Sequence, residues 1–345
     1  MFRPPCLVKS VSPAGEVRVR LGDPLLDDYL GFVAARARPN TVLATAFDLK
    51  VFFGWAGKEP AGIRQADVIA FVAAQRAPRG EGRVVRLSDG ESGLSARTVA
   101  RRLSSVSGLF AYLVARGDAG VLANPVPRGL ATRRARRNGG RRAPLVRTPR
   151  TLPRILEPAE VDLLFETLRT ARDRAMVEAM VLGGLRRCEV LGLRLSDLRP
   201  GEHRVFVAEG KGGHQRMVPV SARFFASVAA YLAAERPADA ETEAVFVVLK
   251  GPRRGRPLSA AGLDEILDGA RARAGLAHGT CHQLRHTCLT RLREAGMALE
   301  AVQAQAGHRS IETTRIYLHL TDDWLAGEYR RAAEAIDAQA LAAVR

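Results

Sequence analysis

Residues 281–296 read CHQLRHTCLTRLREAG and place two histidines and an arginine within four residues of one another. The pattern predicts a helix over 282–295, and His282 and Arg285, three residues apart, share one face of it. His282 and His286 have the spacing of two zinc ligands in a metalloprotease helix. That motif needs a glutamate after the first histidine, and residue 283 is glutamine. A zinc hydrolase is therefore poorly supported, and we expect no metal.

Other short stretches combine glycine with charged or titratable residues, and a tyrosine follows the last of them. Arg186 comes after a diglycine at a predicted helix start, where its side chain and backbone N–H groups can face one bound anion. Taken alone, the tyrosine could equally be a packing aromatic. The stretches are Gly184-Leu185-Arg186-Arg187-Cys188-Glu189, Gly210-Lys211-Gly212-Gly213, Gly307-His308-Arg309-Ser310 and Tyr317.

Lys211 is unexpected in a chain that has five lysines and 48 arginines. Arginine stays protonated in proteins, whereas burial or neighbouring charges can lower the pKa of a lysine. A site that needs a proton donor, and not only a positive charge, is therefore better served by lysine. The alternative is a solvated lysine in a glycine-rich turn.

The composition favours a nucleic-acid partner. The 345 residues include 53 Lys+Arg and 36 Asp+Glu, a formal net charge of +17. A surface this basic attracts polyanions, although a GC-rich genome also enriches arginine. No apolar run approaches the roughly 20 residues that span a bilayer, and residues 1–10 lack the apolar core of a signal peptide. The four cysteines have no CxxC spacing, so we expect a cytoplasmic protein without a disulfide framework.

Residues 119–156, the basic linker, contain ten arginines and no acidic residue. Several prolines and the Gly139-Gly140 pair oppose regular structure, which predicts an extended strap between two folded regions. Each arginine that contacts a phosphate releases counterions, so binding through the strap would weaken steeply with salt. The alternative is a disordered tether that does not touch DNA.

The region before the basic linker has the apolar periodicity of helices. Asn40 and Ser95 are the candidate N-caps of the second and fourth helices. The fourth helix carries Arg97, Arg101 and Arg102 away from its apolar residues, and this face either lies along a DNA groove or is simply solvated. The predicted helices are 23–37, 41–55, 65–75 and 95–115, with a loop at 79–93.

The region after the basic linker mixes helices with one hairpin. Residues 204–208 and 215–220 are β-rich and flank the glycine-rich turn 209–214, which predicts antiparallel pairing. The predicted fold class is mainly α with a small antiparallel β-sheet (α+β). Helices are predicted at 159–169 and 171–182 (both amphipathic), near 186, and at 222–234, 259–274, 282–295, 299–306, 310–320 and 322–342.

Five motifs between residues 158 and 319 resemble, in order and spacing, those of the tyrosine recombinase (phage integrase) family. One departure is Arg187-Cys188, where small or apolar residues are usual, and Arg186 matches the family's arginine by register. The matching residues are 184–189 with 195–197 (first arginine box), 210–212 with 216–219 (hairpin lysine), 282–287 (His-x-x-Arg box), 307–308 (last histidine) and Tyr317, nine residues further on (nucleophile).

The resemblance implies a two-domain DNA clamp, with a helical domain that is similar to the family's core-binding (SAM-like) domain in pattern only. About 20 residues precede the first predicted helix, which we take as too few for an additional arm-type DNA-binding domain. The expected organisation is an N-terminal extension at 1–20, a helical core-binding domain at 21–118, the basic linker at 119–156, and a catalytic domain with a C-terminal helix at 157–345.

The resemblance also implies a transesterification at a DNA phosphodiester, without ATP or another cofactor. A tyrosine attacks phosphorus, a 3′-phosphotyrosyl bond forms and a 5′-hydroxyl leaves, and the hydroxyl of a second strand then reverses the step. A phenol with a pKa of about 10 is almost fully protonated at pH 7, so the site must favour phenolate or remove the proton during attack.

By the resemblance, Tyr317 is the nucleophile and Lys211 protonates the leaving 5′ oxygen. Arg186 and Arg285 bind the non-bridging oxygens and neutralise the charge that grows on the pentavalent phosphorus. Two guanidinium groups do here what a metal ion does in other phosphoryl-transfer sites, so none is implied.

Two histidines and two carboxylates complete the expected site. His282 and His308 hydrogen-bond the phosphate or relay protons, and Glu189 or Asp197 holds an arginine in place. His286 is expected to be an ordinary helix histidine. The arginines expected to contact DNA are Arg97, Arg101, Arg102, Arg133, Arg134, Arg136, Arg137, Arg141 and Arg142.

The expected partners are double-stranded DNA and further copies of the chain, as a homodimer on one site and a homotetramer in the synaptic complex. An accessory DNA-bending protein or a partner recombinase would join them. The last predicted helix, 322–342, would dock into a neighbouring protomer or pack on its own domain. We expect a nucleoid-associated prokaryotic enzyme that serves a mobile element or resolves chromosome dimers. The alternatives are a type IB topoisomerase-like strand transferase and a non-catalytic DNA-binding protein.

Overall fold

The computed structural model describes residues 3–11, 17–77, 93–129, 144–148, 154–208, 215–308 and 314. The chain divides into two compact units, an N-terminal unit of Met1–Arg150 and a C-terminal unit of Thr151–Arg345. Within the described ranges, the helices are all too short or too polar to cross a membrane.

The N-terminal unit combines a pair of strands with helices. Strands β1 (Val8–Val11) and β2 (Val17–Arg20) are antiparallel, with Val8 opposite Arg20. The sequence patterns predicted no structure for this segment. The helices are α1 (Pro24–Ala34), α2 (Pro39–Ala56), α3 (Gln65–Arg76) and α4 (Ala96–Arg116).

The two predicted N-caps of this unit had different outcomes. The assignment of Asn40 was wrong, because α2 begins at Pro39 with Arg38 as its N-cap. Proline suits the first helical position, since the N–H that it lacks has no partner there in any case. The assignment of Ser95 is confirmed, because its side chain accepts the backbone N–H of Thr98 at 3.2 Å.

Aromatic side chains fill the core of the N-terminal unit. Phe52 contacts Phe53 and Phe71 edge to face, at centroid distances of 5.1 and 5.0 Å. Phe110 of α4 packs on Phe53, and all four rings are fully buried. Truncation of a buried phenylalanine to alanine typically costs about 3–5 kcal/mol, so this cluster holds α2, α3 and α4 together.

Described parts of the basic linker pack against each folded unit. Leu145 and Val146 contact the core of the N-terminal unit. Leu156 is buried in the C-terminal unit, where its backbone N–H donates to Oγ1 of Thr287 at 2.9 Å. The middle of the linker, with most of its arginines, lies outside the described residues.

The C-terminal unit is helical around a three-stranded antiparallel sheet of order β3-β4-β5. The predicted hairpin is present as β4 (Arg204–Val207) and β5 (Arg216–Pro219), preceded by β3 (Leu198–Arg199), and its turn 209–214 lies outside the described residues. So do the predicted helices 310–320 and 322–342, apart from Thr314. The mainly α fold class with a small antiparallel sheet is thereby confirmed. The helices are α5 (Pro158–Glu166), α6 (Ala171–Val181), α7 (Arg187–Leu191), α8 (Ala222–Ala234), α9 (Ala260–Arg273), α10 (Cys281–Glu294) and α11 (Leu299–Ala306).

Helix α6 lies at the centre of this unit, packed against α8 and α10. The prediction of an amphipathic helix was wrong here, because three of its four charged residues are buried together with its apolar ones. Arg172 pairs with Asp173 at 2.7 Å and donates to the carbonyl of Val247 at 2.9 Å. Pairing of this kind is what permits charges inside a core.

Candidate active site

Arg186 lies at the start of α7, after the turn that Gly183 and Gly184 make at the end of α6. Gly184 has a φ of +67°, and a Cβ there would lie 3.2 Å from Leu289, so the turn favours glycine. The backbone N–H of Arg186 donates to Oε2 of Glu189 at 2.9 Å, which caps the helix. This cap brings the acid of the first turn back towards the arginine that precedes it.

The Glu189 carboxylate is the centre of a cluster of arginines, and its side chain is 0 % exposed. Nη1 of Arg186 donates to its Oε1 at 2.7 Å. The two Nη atoms of Arg216 donate to its two oxygens, both at 3.0 Å, and Nη1 of Arg285 lies 3.9 Å from Oε2. Burial alone would raise the pKa of Glu189, but the hydrogen bonds from Arg216 and Arg186 outweigh it, so that the pKa is lowered. The carboxylate is therefore ionised at neutral pH.

Arg285 projects from α10 into the same cluster and is 3 % exposed. Its Nη1 donates to the carbonyl of Gly184, and its Nη2 donates to the carbonyl of Ala306 at 2.6 Å. The first carbonyl belongs to the turn before α7, and the second to the end of α11. One buried guanidinium group thus links three elements and is fixed by all of them.

His308 follows the left-handed residue Gly307 that ends α11. Its Nε2 lies 3.2 Å from Nη2 of Arg285, and its Nδ1 lies 3.0 Å from Oγ1 of Thr314. Burial, followed by the charges of Arg285 and Arg186, lowers the pKa of His308 to about 4. The ring is therefore neutral at pH 7. Because arginine can only donate, Nε2 accepts and the ring proton resides on Nδ1.

His282 lies one turn before Arg285 on α10, and its Nε2 is 2.8 Å from Nε2 of His286. Burial, then the charges of His282 and Arg285, lowers the pKa of His286 to about 4. A neutral His286 can accept a hydrogen bond from His282, which fixes the orientation of the exposed ring. We predicted His286 to be an ordinary helix histidine, but it is within hydrogen-bond distance of His282, a predicted site residue.

The structure shows the partners of Arg187 and Asp197, the neighbour of Arg186 and the alternative to Glu189. Arg187, the neighbour of Arg186, pairs with Asp264 of α9, and so it is Arg186 that joins the Glu189 cluster. Asp197, the other carboxylate expected to hold an arginine, is buried and accepts the backbone N–H of Arg194 at 2.9 Å. Of the two carboxylates, the structure brings Glu189 to the arginines.

The sequence reasoning did not assign a role to Arg216. It is the first residue of β5, and on a strand it shares a face with Val218, which is fully buried. An arginine on the inward face of a strand signals a buried cation that needs a carboxylate. That signal could have identified Arg216 as a buried cation, but not which carboxylate pairs with it.

The predicted basic face of α4 is divided by the structure. Arg97 and Arg101 are exposed, and Nη1 of Arg101 donates to Oδ2 of the buried Asp48 at 2.6 Å. Arg102 is 8 % exposed and donates to the side chain of Gln75. A side chain committed to the interior of its own unit cannot reach a phosphate, so we withdraw Arg102 from the expected DNA contacts.

The remaining predicted site residues lie outside the described residues. Within the described ranges, no group of three or more His, Cys, Asp and Glu side chains could hold a metal ion. The predicted residues outside these ranges are Lys211, Tyr317, Arg133, Arg134, Arg136, Arg137, Arg141 and Arg142.

Comparison with known proteins identifies the class to which this site belongs. Residues 154–323 match the profile of the phage integrase family, and residues 26–117 match that of the phage integrase N-terminal SAM-like domain. The chain is 31 % identical over 319 residues to the tyrosine recombinase XerC of Xylella fastidiosa, covering 89 % of this chain and 96 % of that protein. It is 34 % identical over 283 residues to XerD of Mycobacterium tuberculosis, covering 79 % and 84 %.

The chain therefore belongs to the tyrosine recombinase (phage integrase) family, whose members are DNA strand-transferring enzymes that carry out site-specific recombination. This confirms the family and the enzyme class that the motifs predicted.

Solved structures show the same fold at low sequence identity. The Tn1549 transposon integrase in complex with transposon right-end DNA superposes with a TM-score of 0.65 and 19 % identity, covering 90 % of this chain and 99 % of that one. The XerH recombinase bound to palindromic difH substrate, a post-cleavage complex, gives a TM-score of 0.62 and 21 % identity, covering 86 % and 81 %. The likeness extends over both units of the chain.

Proposed function

We propose that this chain cuts and rejoins double-stranded DNA at a specific site through a 3′-phosphotyrosyl intermediate on Tyr317, for the integration, excision or resolution of a mobile element. The observation that carries the proposal is the cluster of Arg186, Arg285 and His308 around the buried Glu189. It is a rigid, positively charged site of the kind that a phosphodiester in transesterification requires.

The charge of the cluster suits the transition state. The guanidinium groups of Arg186, Arg216 and Arg285 oppose the single carboxylate of Glu189, and His308 is neutral at pH 7 because of its lowered pKa. The net charge of these described groups is therefore +2. A DNA phosphodiester carries one negative charge, and a second develops as the pentavalent phosphorus forms. The site thus binds the ground state and stabilises the transition state more strongly.

Covalent reach supports Tyr317 as the nucleophile. Thr314, whose Oγ1 lies 3.0 Å from Nδ1 of His308, is three residues before Tyr317. Three residues span at most about 11 Å. The short sequence separation between Thr314 and Tyr317 therefore supports Tyr317 as the nucleophile of this site.

The proton transfers fall to the remaining site residues. His282 takes the phenol proton as Tyr317 attacks, while the neutral His308 hydrogen-bonds Arg285 and helps to hold it in place. Lys211 protonates the departing 5′ oxygen. In the sequence it comes five residues before Arg216, whose guanidinium group pairs with Glu189.

The larger organisation is part of the same proposal. Residues 21–118 form the core-binding domain and residues 157–345 the catalytic domain, and the basic linker 119–156 contributes its arginines to the DNA backbone. A homodimer occupies one site, two dimers form the synaptic tetramer, and an accessory DNA-bending protein or a partner recombinase assists. The enzyme acts at the nucleoid, in the cytoplasm of a prokaryotic cell.

The proposal is tested with a suicide substrate, a duplex whose nick lets the cleaved strand diffuse away and so traps the covalent adduct. The Tyr317→Phe variant should bind this DNA as the wild type does and form no adduct, because only the attacking oxygen is removed. Tyr112→Phe, a change at a tyrosine of the N-terminal unit, is the matched control and should form the adduct. An adduct that still forms with Tyr317→Phe would show that Tyr317 is not the nucleophile.

A further inference from the structure

We propose that Arg216 is a positioning residue for strand transfer: it balances the charge of Glu189 and thereby leaves Arg186 and Arg285 directed at the DNA phosphate. The inference rests on the function proposed above. It concerns a residue outside the six to which that function assigns catalytic roles.

The geometry makes Arg216 the principal partner of the buried carboxylate. Its two Nη atoms meet the two oxygens of Glu189 at 3.0 Å each, the bidentate arrangement that is strongest for arginine and a carboxylate. Arg186 contributes one Nη at 2.7 Å, and the nearest Nη of Arg285 is 3.9 Å away. The carboxylate thus has a dedicated cation, and the other two arginines are only partly engaged by it.

Removal of that cation would redirect the others. The side chain of Glu189 is 0 % exposed, so water cannot replace the lost partner, and an ionised carboxylate without a partner is costly inside a protein. Among the residues that the structure describes, the nearest remaining cations are Arg186 and Arg285. Both would be drawn closer to Glu189, and the charge and geometry offered to a phosphate would weaken.

A second contact connects Arg216 to the turn before His308. A Cβ on Gly307 would lie 2.8 Å from Cζ of Arg216, so the guanidinium group lies directly against this glycine. The carbonyl oxygen of the same Gly307 accepts a hydrogen bond from Nη2 of Arg186 at 3.2 Å. Arg216 therefore supports the backbone that orients both Arg186 and His308, in addition to the acid that they surround.

The test is a charge-rescue cycle on the suicide substrate. Arg216→Met should slow adduct formation by about 10- to 100-fold, the effect expected for a buried carboxylate that loses its partner. Binding of the same duplex should change by no more than about twofold, because the side chain is 13 % exposed and held inward. The variant Arg216→Met with Glu189→Gln should regain at least about tenfold of the lost rate, since the amide needs no cation and still caps α7.

The charge rescue separates this role from a merely structural one. If Arg216 only filled space, removal of the Glu189 charge would leave the defect unchanged or make it worse. Arg204→Met removes an exposed arginine from the neighbouring strand β4 and should leave the rate as in the wild type. Thermal melts of each variant accompany the kinetics. If Arg216→Met alone is unfolded and the double variant folds and cleaves, the charge balance is supported by the same logic.

Arg216→Lys keeps the positive charge without the bidentate fork and should remain within about tenfold of the wild-type rate. The inference is overturned by a wild-type rate in Arg216→Met, by a double variant no faster than the folded single variant, or by an Arg216→Lys variant as inactive as Tyr317→Phe. Failure of the proposed function looks different, because the wild type would then form no Tyr317-dependent adduct.

Discussion

At the scale of single residues, the site keeps its charged groups buried without neutralising them all. The lowered pKa of Glu189 keeps the acid ionised, and the lowered pKa of His308 keeps the ring neutral at pH 7. Two Nη groups of Arg285 donate to backbone carbonyls, which carry no net charge. The cations are therefore fixed in place mainly by dipoles and by a single carboxylate, and their charge remains available to an anion.

The pKa of His308 predicts how stability depends on pH. In the folded chain it lies at about 4, below the ordinary 6.5. Between these values the unfolded chain binds a proton that the folded chain does not, so the free energy of unfolding falls as the pH is lowered from about 6.5 to 4. In urea titrations across this range, His308→Gln should show a shallower fall than the wild type. The control is His203→Asn, a change at an exposed histidine, which should show the same fall as the wild type. Equal slopes for His308→Gln and wild type would contradict the argument that burial lowers the pKa of His308.

Lys211 gives a prediction about the leaving group. Lys211→Ala should cleave an ordinary substrate slowly, because the departing 5′ oxygen then lacks a proton donor. A substrate with sulfur at the 5′ bridging position should restore cleavage, since a thiolate leaves without a proton. The measurement is the rate of adduct formation on both substrates. A variant that stays equally slow on the sulfur substrate would show that Lys211 has another role.

At the scale of elements, sequence patterns predicted the helices well where one face is buried. Helix α4, with Val99, Leu103 and Val106 inward, begins one residue after the predicted cap. Sequence patterns failed where tertiary packing determines which residues are buried. The charged residues of α6 suggested a solvated face, but other helices cover this helix. Arg172 and Asp173 pair with each other in the interior. Arg102 failed for the same reason, because a helical position does not reveal that Gln75 lies opposite.

The site was predictable to the extent that its motifs are contiguous in sequence. The cap from Arg186 to Glu189 is local, and so it follows from spacing alone. The pairing of Glu189 with Arg216 spans 27 residues and depends on how β5 docks against α7. A single sequence does not provide that register, and therefore the partner that completes the cluster emerged only from the structure.

The turn at the end of α11 gives a prediction for this scale. Gly307→Ala should reduce adduct formation by about 10- to 100-fold, because the new Cβ must displace the guanidinium group of Arg216 that lies 2.8–2.9 Å away. Gly275→Ala is the matched control, since its φ of +68° resembles the +59° of Gly307 and nothing lies within 4 Å of its Cβ. The control should lose about 1 kcal/mol of stability and keep its activity. Similar activity in the two variants would contradict the proposed packing.

Helix α4 allows a second element-scale prediction. Arg97→Gln should lower the slope of log affinity against log salt by about one, as expected for one lost phosphate contact, and should not change stability. Arg102→Met should instead lower the free energy of unfolding by about 1–3 kcal/mol, because Gln75 loses its hydrogen-bond donor and the buried Asp48 loses a cation 3.8 Å from its Oδ1. Fluorescence anisotropy at several salt concentrations and urea denaturation measure the two effects. Equal salt slopes for Arg97→Gln and wild type would remove this face from the DNA interface.

At the scale of the whole molecule, the chain consists of two units, each with its own hydrophobic core, joined by the basic linker. One core is built around Phe52, Phe53, Phe71 and Phe110, and the other around α6. The net charge of +17 is concentrated in part in the basic linker, which has ten arginines and no acidic residue, and a charge of this size attracts DNA over a long range. The net charge can be predicted from composition, whereas the candidate site depends on contacts that only the three-dimensional structure shows.

The most direct test of the account is the chemistry of the trapped protein–DNA link. The wild-type adduct on a suicide substrate is digested with protease and nuclease, and the surviving nucleotide-peptide is sequenced by mass spectrometry. We predict a peptide joined through Tyr317 to a 3′-phosphate, with a free 5′-hydroxyl on the released strand. A link through another residue, or to a 5′-phosphate, would contradict the central claim.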